Sequence, residues 1–193
     1  MAGAKTSKKK NSRTGKRAET HISVKVKGRE IKHPMKEFLI AVVMILLPLV
    51  GGSIITLFTI NAQEAFGAFR QPPLAPPAWL FPVAWTILYI LMGVASYLIY
   101  RVRAVKVDEK RLKATELWLF YAQLVFNFVW TLLFFNADLK FFAFGWLVAM
   151  WLMILVLMTM CFRNRQVAMW LLLPYLLWVT FAGYLNLAIA VLN

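Results

Sequence analysis

From Phe141 to Phe162 the chain reads FFAFGWLVAMWLMILVLMTMCF, with no charged residue from end to end. A helix rises about 1.5 Å per residue and needs about 20 apolar residues to cross the roughly 30 Å of bilayer hydrocarbon. The run is long enough to span, and it is apolar on every face, as a membrane helix is. Four further runs of this kind lie at 38–60, 79–100, 117–136 and 167–192. Helices are expected for all five, because lipid offers no partner to open backbone N–H and C=O groups. Pro48, Pro82 and Pro174 fall within these runs or near their starts, and a bundle tolerates them where neighbours take up the freed carbonyls. The fold class expected is an all-α integral membrane protein, a bundle of five transmembrane helices.

Composition agrees with this. The 193 residues are 61% hydrophobic and 16% charged, whereas soluble domains run at about 45–50% and about 25%. The formal charge of +14 resembles a nucleic-acid signal until it is located: 12 of the 22 Lys and Arg residues precede Phe38, and 6 lie between Arg101 and Lys113. Basic residues that flank apolar runs set membrane orientation and attract anionic headgroups, so lipid is the expected partner and nucleic acid is not. The tail, 101–116 and 163–166 carry 20 basic residues, and the opposite side carries Arg70 and Lys140. That bias places the N-terminus in the cytoplasm and the C-terminus across the membrane, without naming which membrane. Trp79, Trp118, Trp170, Tyr97 and Tyr100 stand near span ends as interfacial anchors.

Two domains are expected: a basic, mostly disordered cytoplasmic tail over 1–36 and a membrane domain over 37–193. The tail holds Lys8-Lys9-Lys10, and its basic stretch is too long for a cleaved signal peptide. Glu19 and Glu30 interrupt it, against a transit peptide. The alternation Ile22-Ser23-Val24-Lys25-Val26 permits one short strand. The lone Cys161, within an apolar run, excludes an intrachain disulfide and reads as a small buried hydrophobe.

The connection from Asn61 to Ala78 is unlike the others, with Pro72, Pro73, Pro76 and Pro77 around Leu74 and Ala75. Proline locks φ, so a stiff extended or turned segment is expected. Phe66, Phe69, Leu74 and Trp79 would be costly to leave in water. The segment therefore lies over something, either the helix bundle or the membrane surface.

Within the spans, Gln123 and Asn127 are four residues apart on one helical face, close to Trp130. An amide facing lipid would have unpaired donors and acceptors. Helix–helix hydrogen bonding accounts for Gln123, while Asn127 fits that role and a ligand cavity equally. Tyr175, Trp178, Ala182 and Leu185 step by three or four to form one stripe, which makes room for a flat ligand or for a neighbouring helix. Asn186 and Asn193 suit hydrogen bonds near the far interface. The sequence has no phosphate loop, nucleotide fingerprint or Cys/His metal cluster, and both histidines, His21 and His33, lie in the tail. No ionisable residue sits in the central turns of a span, which leaves proton relays and charge-coupled pumping without support.

At this point the residues resemble a known family. The run Pro76-Pro77-Ala78-Trp79-Leu80-Phe81-Pro82-Val83-Ala84-Trp85-Thr86-Ile87-Leu88-Tyr89-Ile90-Leu91-Met92-Gly93 is similar to the signature of the TspO/MBR family, the tryptophan-rich sensory and translocator (peripheral benzodiazepine receptor) proteins. Two more blocks agree in order: Gln123 to Trp130 followed by Phe134-Phe135, and Pro174 to Ala182 followed by Leu185-Asn186. The resemblance covers about 38–193.

It implies a five-helix bundle, commonly a homodimer, with a pocket closed by the loop between the first and second spans. The implied ligands are hydrophobic small molecules: porphyrins and related haem-type tetrapyrroles, isoquinoline carboxamides, benzodiazepines and, in animal members, cholesterol. No obligatory cofactor and no metal are implied. Carried over by position, Trp85, Asn127, Trp130, Phe142, Trp178, Ala182 and Leu185 form the pocket, and Phe66, Pro72, Pro76, Pro77 and Trp79 belong to its lid. Three departures are visible. Ala65-Phe66 and Gln71-Pro72 replace the family's Trp-Tyr and Lys-Pro, so a basic residue suited to a propionate is missing. Phe142 stands where a tryptophan is frequent. The chain ends at Asn193 without a sterol-recognition motif, so sterol binding is not expected.

The function implied is that of a membrane receptor or sensor binding tetrapyrroles, with effects on their traffic, degradation or stress signalling. The alternative is a transporter of tetrapyrroles or other hydrophobic small molecules. Light- or oxygen-dependent porphyrin degradation is the enzymatic form the resemblance admits, and the residues name no catalytic group for it.

Overall fold

The computed structural model describes residues 24–26, 29–31, 34–102, 104–162 and 165–193. The chain divides into two units, up to Glu37 and from Phe38 onward. In the first, β1 (Val24–Val26) pairs antiparallel with β2 (Arg29–Ile31), Val24 opposite Ile31. The alternation at 22–26 is realised as β1, and its partner lies in residues expected to lack structure. Ile22, Ser23, the Lys8–Lys10 cluster and both histidines lie outside the described residues.

The rest is helical: α1 (Pro34–Phe58), α2 (Ala62–Ala68), α3 (Leu80–Arg101), α4 (Val107–Phe135), α5 (Lys140–Cys161) and α6 (Gln166–Leu192). All but α2 are long and apolar enough to span a bilayer. The protein is an all-α integral membrane bundle of five spanning helices. Pro34 opens α1 and Pro82 falls in the first turn of α3, where backbone N–H groups have no intrahelical acceptor. Pro48 and Pro174 sit inside helices that continue past them.

Two boundaries differ from the expected ones. α4 begins ten residues before the expected span, at Val107 rather than 117. The Glu109 carboxylate accepts from the main-chain N–H groups of Val105 and Lys106 (2.9 and 3.3 Å), which fixes the start of the helix among polar, exposed residues. The 61–78 connection is partly helical, since Ala62, Ala65 and Ala68 are strong helix formers and Glu64 stands in the first turn. The prolines act only from Pro72 onward.

The core lies among α3, α4, α5 and α6, where Met92, Phe120, Ile154 and Leu172 are fully buried. α1 buries only Met44, Pro48 and Gly52, and so stands at the edge. It reaches α3 through glycine: a Cβ on Gly93 would lie 2.5 Å from the carbonyl oxygen of Ile45. Further along, the Tyr89 ring lies against Gly52, where a Cβ would come within 2.1 Å of it.

At the end where α5 turns into α6, Arg165 Nη1 meets Glu116 Oε1 at 2.9 Å, both side chains buried. The sequence reading passes over this pair because Glu116 stands one residue before the expected third span.

Candidate functional site

At the opposite end, the connection after α1 folds over the bundle. Phe66 is buried with its ring 4.7 Å from that of Phe81, and Phe69 packs edge-on against Phe134. Pro73 and Leu74 form the centre of a turn closed by Ala75 N–H donating to the Pro72 carbonyl, and Leu74 takes a φ of 66°. Three hydrogen bonds fasten this lid to α6 and its terminus. Tyr184 Oη donates to the Pro73 carbonyl at 2.6 Å, Arg70 N–H to Asn193 Oδ1 at 2.9 Å, and Asn193 Nδ2 to the Arg70 carbonyl at 3.4 Å. The Gln71 amide donates to the Phe66 carbonyl, so the residue in place of the family's lysine braces the lid internally. Of the two positions open to the segment, it takes the one over the bundle.

Beneath the lid is a cavity of about 210 Å³. α1 contributes Leu49, Gly52, Ser53 and Thr56, α3 contributes Phe81, Trp85 and Tyr89, and α4 contributes Trp130, Thr131 and Phe134. Phe66 closes it from the lid, and Ala182, Leu185 and Asn186 from α6. The wall is preorganised by ring contacts. Trp85 stacks on Tyr89 with centroids 5.5 Å apart, and Trp130 on Phe134 at 5.7 Å. Trp130 Nε1 donates to Asn186 Oδ1 at 3.0 Å, and Asn186 Nδ2 donates to the Lys140 carbonyl at 2.8 Å. Asn193 and Asn186 therefore both hydrogen-bond near this end.

A polar chain stands behind the wall at the centre of the bundle. Tyr89 Oη donates to Asn127 Oδ1 (2.8 Å), Asn127 Nδ2 to Tyr175 Oη (3.4 Å), and Tyr175 Oη to Gln123 Oε1 (2.8 Å). It ties α3, α4 and α6 together with every member buried. Gln123 has the helix-joining role its spacing permits, and Asn127 makes the same kind of contact.

Five of the twelve positions carried over from the resemblance meet at the cavity: Trp85, Trp130, Ala182, Leu185 and the lid residue Phe66. The other seven lie elsewhere. Asn127 stands one layer back, where it links Tyr89 to Tyr175. Trp178 packs on Trp85 (6.4 Å) and Phe81 (6.0 Å) from outside the lining, with its Nε1 buried and unpartnered. Phe142 is 58% exposed on α5, a helix that contributes nothing to the lining, because Ala143, Leu147 and Met150 are the residues α5 turns to the core. In the lid, Pro72 is buried, Pro76 half-buried and Pro77 and Trp79 exposed, and none of the four lines the cavity.

Sequence reasoning missed Phe81, Tyr89, the α1 face and the hydroxyls of Ser53, Thr56, Thr59, Thr86 and Thr131. A helix apolar on every side carries no amphipathic signal to say which face meets a cavity. The hydroxyls recurring at the lid ends of α1 and α3 were the one legible clue.

The sequence model of the TspO/MBR family matches residues 44–192. A tryptophan-rich protein TspO of Archaeoglobus fulgidus is 33% identical over 133 residues, 69% of this chain and 82% of that one. A tryptophan-rich sensory protein of Cereibacter sphaeroides is 34% identical over 69% of this chain and 80% of its own length. The translocator protein of Bos taurus is 33% identical over 151 residues, 76% of this chain and 85% of its own. The match spans the lid, the aromatic wall and the polar chain behind it together, and the chain belongs to the TspO/MBR family.

Proposed function

We propose that the chain is a membrane receptor or sensor that binds a porphyrin or related tetrapyrrole in the lidded cavity, acting on its traffic, degradation or stress signalling. The observation that carries this reading is the wall itself, with the indoles of Trp85 and Trp130 and the ring of Phe81 around the small side chain of Ala182. Flat indole and phenyl faces suit a conjugated ring. A mostly apolar cleft with few oriented polar groups is the usual form of a small-molecule site. The enclosed space takes part of a macrocycle, and the rest occupies the mouth between α1 and α3, where Ser53, Thr56 and Thr86 are exposed.

Binding and transport separate in liposomes. Saturable quenching of tryptophan fluorescence without porphyrin flux supports a receptor, and protein-dependent accumulation supports a transporter. The absence of both sinks the ligand assignment.

The tail and the 101–116 loop belong on the cytoplasmic side, and the lid across the membrane. Single cysteines at Lys10 and Ala75, with Cys161 replaced by Ala, should label from opposite sides. Self-association fits α5, where Gly145 is exposed with open space at its Cβ position, one turn from Ala149. Replacing both with Leu should weaken crosslinking in lipid if this face joins a homodimer.

A further inference from the structure

The ligand class of the cavity follows from what its polar groups are already doing. Five Ser and Thr hydroxyls line it, and each gives its hydrogen to the carbonyl four residues back. Ser53 donates to Leu49 (2.9 Å), Thr56 to Gly52 (3.0 Å), Thr59 to Ile55 (3.1 Å), Thr86 to Pro82 (2.8 Å) and Thr131 to Asn127 (3.4 Å). A hydroxyl whose hydrogen is spent has only lone pairs left to offer.

The other donors of the wall are mostly committed too. Tyr89 donates to Asn127, Trp130 to Asn186, and Asn186 to the Lys140 carbonyl. This leaves the Trp85 indole N–H and the Gln63 amide, both neutral. Among the described residues the lining contains no Lys, Arg, Asp or Glu. The basic residues at this end, Arg70 and Lys140, are not part of it, and Lys140 is paired with Asp138 and lies over the Phe69 ring.

The mouth adds a second constraint. α1 and α3 touch backbone to backbone at Ile45 and Gly93, are separated by the Tyr89 ring at Gly52, and leave the cavity between them beyond that point. The outward residues beside this opening are Ile54, Val83 and Ile87, each about half exposed (48, 48 and 54%). On helices that span the bilayer, such residues face hydrocarbon, so the opening faces lipid. A carboxylate drawn in this way loses its water and meets lone pairs, and an unpaired charge in an apolar site is heavily penalised.

We infer that the cavity selects uncharged ligands delivered from the bilayer, and that among tetrapyrroles it favours neutral esters over free carboxylic acids. The second half rests on the proposed tetrapyrrole reading; the first does not. An O–H or N–H on the ligand meets the hydroxyl lone pairs, and no group in the lining compensates a carboxylate.

The test compares protoporphyrin IX with its dimethyl ester on the full chain in nanodiscs, each corrected for partition into empty discs. The ester should bind at least about tenfold more tightly. Thr86→Lys places a cation at the exposed mouth and should narrow or reverse the ester's advantage over the diacid, read as the ratio of the two affinities, with folding checked by thermal melts. Equal or tighter binding of the diacid by the parent protein overturns the inference and leaves macrocycle binding standing. If neither porphyrin binds above empty discs, the tetrapyrrole reading fails, and naphthylmethanol against naphthoate decides the inference alone. Absence of a preference for the alcohol overturns it.

Discussion

Where α4 begins and α5 turns into α6, a carboxylate and a guanidinium are sealed against each other with both side chains buried; under the lid, no charged side chain lines the space among α1, α3, α4 and α6. The ion pair fixes the positions of α4 and the α5–α6 turn, and Arg165 is held again by its backbone N–H donating to the Cys161 carbonyl at 2.8 Å. At the lid end the helices meet through rigid rings packed edge-on, with Gly52 giving its space to the Tyr89 ring and the small side chain of Ala182 leaving volume in the cavity. The bundle thus uses charge where the ends of its helices must be closed, and neutral aromatic surface where something is to be admitted.

The contrast is broken most severely by disarming the closed end. Arg165→Met leaves Glu116 buried without its partner and should cost about 3–5 kcal/mol, read as a lowered melting temperature in nanodiscs. The pair Glu116→Leu with Arg165→Met should recover most of that loss. A single variant as stable as the parent would show that the ion pair closes nothing.

Gly93→Ala probes the seam between α1 and α3. Its Cβ would meet the Ile45 carbonyl at 2.5 Å, and relieving that overlap should cost about 1–3 kcal/mol. Because α1 is also a cavity wall, both melting temperature and porphyrin affinity should fall. Loss of stability with unchanged affinity would separate the seam from the site.

Ala182→Thr sharpens the other half of the comparison, since it fills space without disturbing the closed end. It should weaken porphyrin binding by about 1–3 kcal/mol, or roughly 5- to 150-fold, with little change in the melt. Phe81→Leu should also weaken binding. Its ring lines the cavity between Phe66 and Trp178. Trp178→Phe, one layer back, should affect binding less than either. Should Trp178→Phe prove the most damaging of the three, the ligand contacts a surface outside this cavity.

The smallest effect belongs to the lid. Leu74 takes a φ of 66° in its turn, a conformation natural to glycine and costly for a leucine. Leu74→Gly relieves that strain against glycine's greater freedom in the unfolded chain and should stabilise the lid by a net of about 1 kcal/mol, seen as slower amide hydrogen exchange over 70–78.

The spans were legible because twenty or so apolar residues have no other use, and only the polar start of α4 and the short α2 fell outside that logic. The pair Gln123 and Asn127 was legible from its spacing, and Ala182 from its place between aromatics. Facing was not legible. The α1 run shows no polar face, and what sets Thr56 at the cavity mouth is the meeting of Gly52 with a tyrosine ring on another helix. Phe142 shows the same limit from the other side. Order along the chain aligns it with a pocket tryptophan, yet the packing of Ala143 and Leu147 turns it outward. Glu116 was overlooked because it stands one residue before the expected span and its partner lies 49 positions away, beyond the whole of α5.

The chain of hydrogen bonds from Tyr89 through Asn127 and Tyr175 to Gln123 bears on how the protein can diverge. Each link fills a valence of the next, and no water is available inside a bilayer to replace a missing one. A change at any one of these four residues strands its neighbour, so they are expected to be inherited as a unit. The side chains of Phe66, Phe81 and Thr86 in the cavity wall lie outside that chain, and each can change with only local repacking. A lineage can therefore drift toward new ligands one wall residue at a time while the frame behind Tyr89 stays fixed.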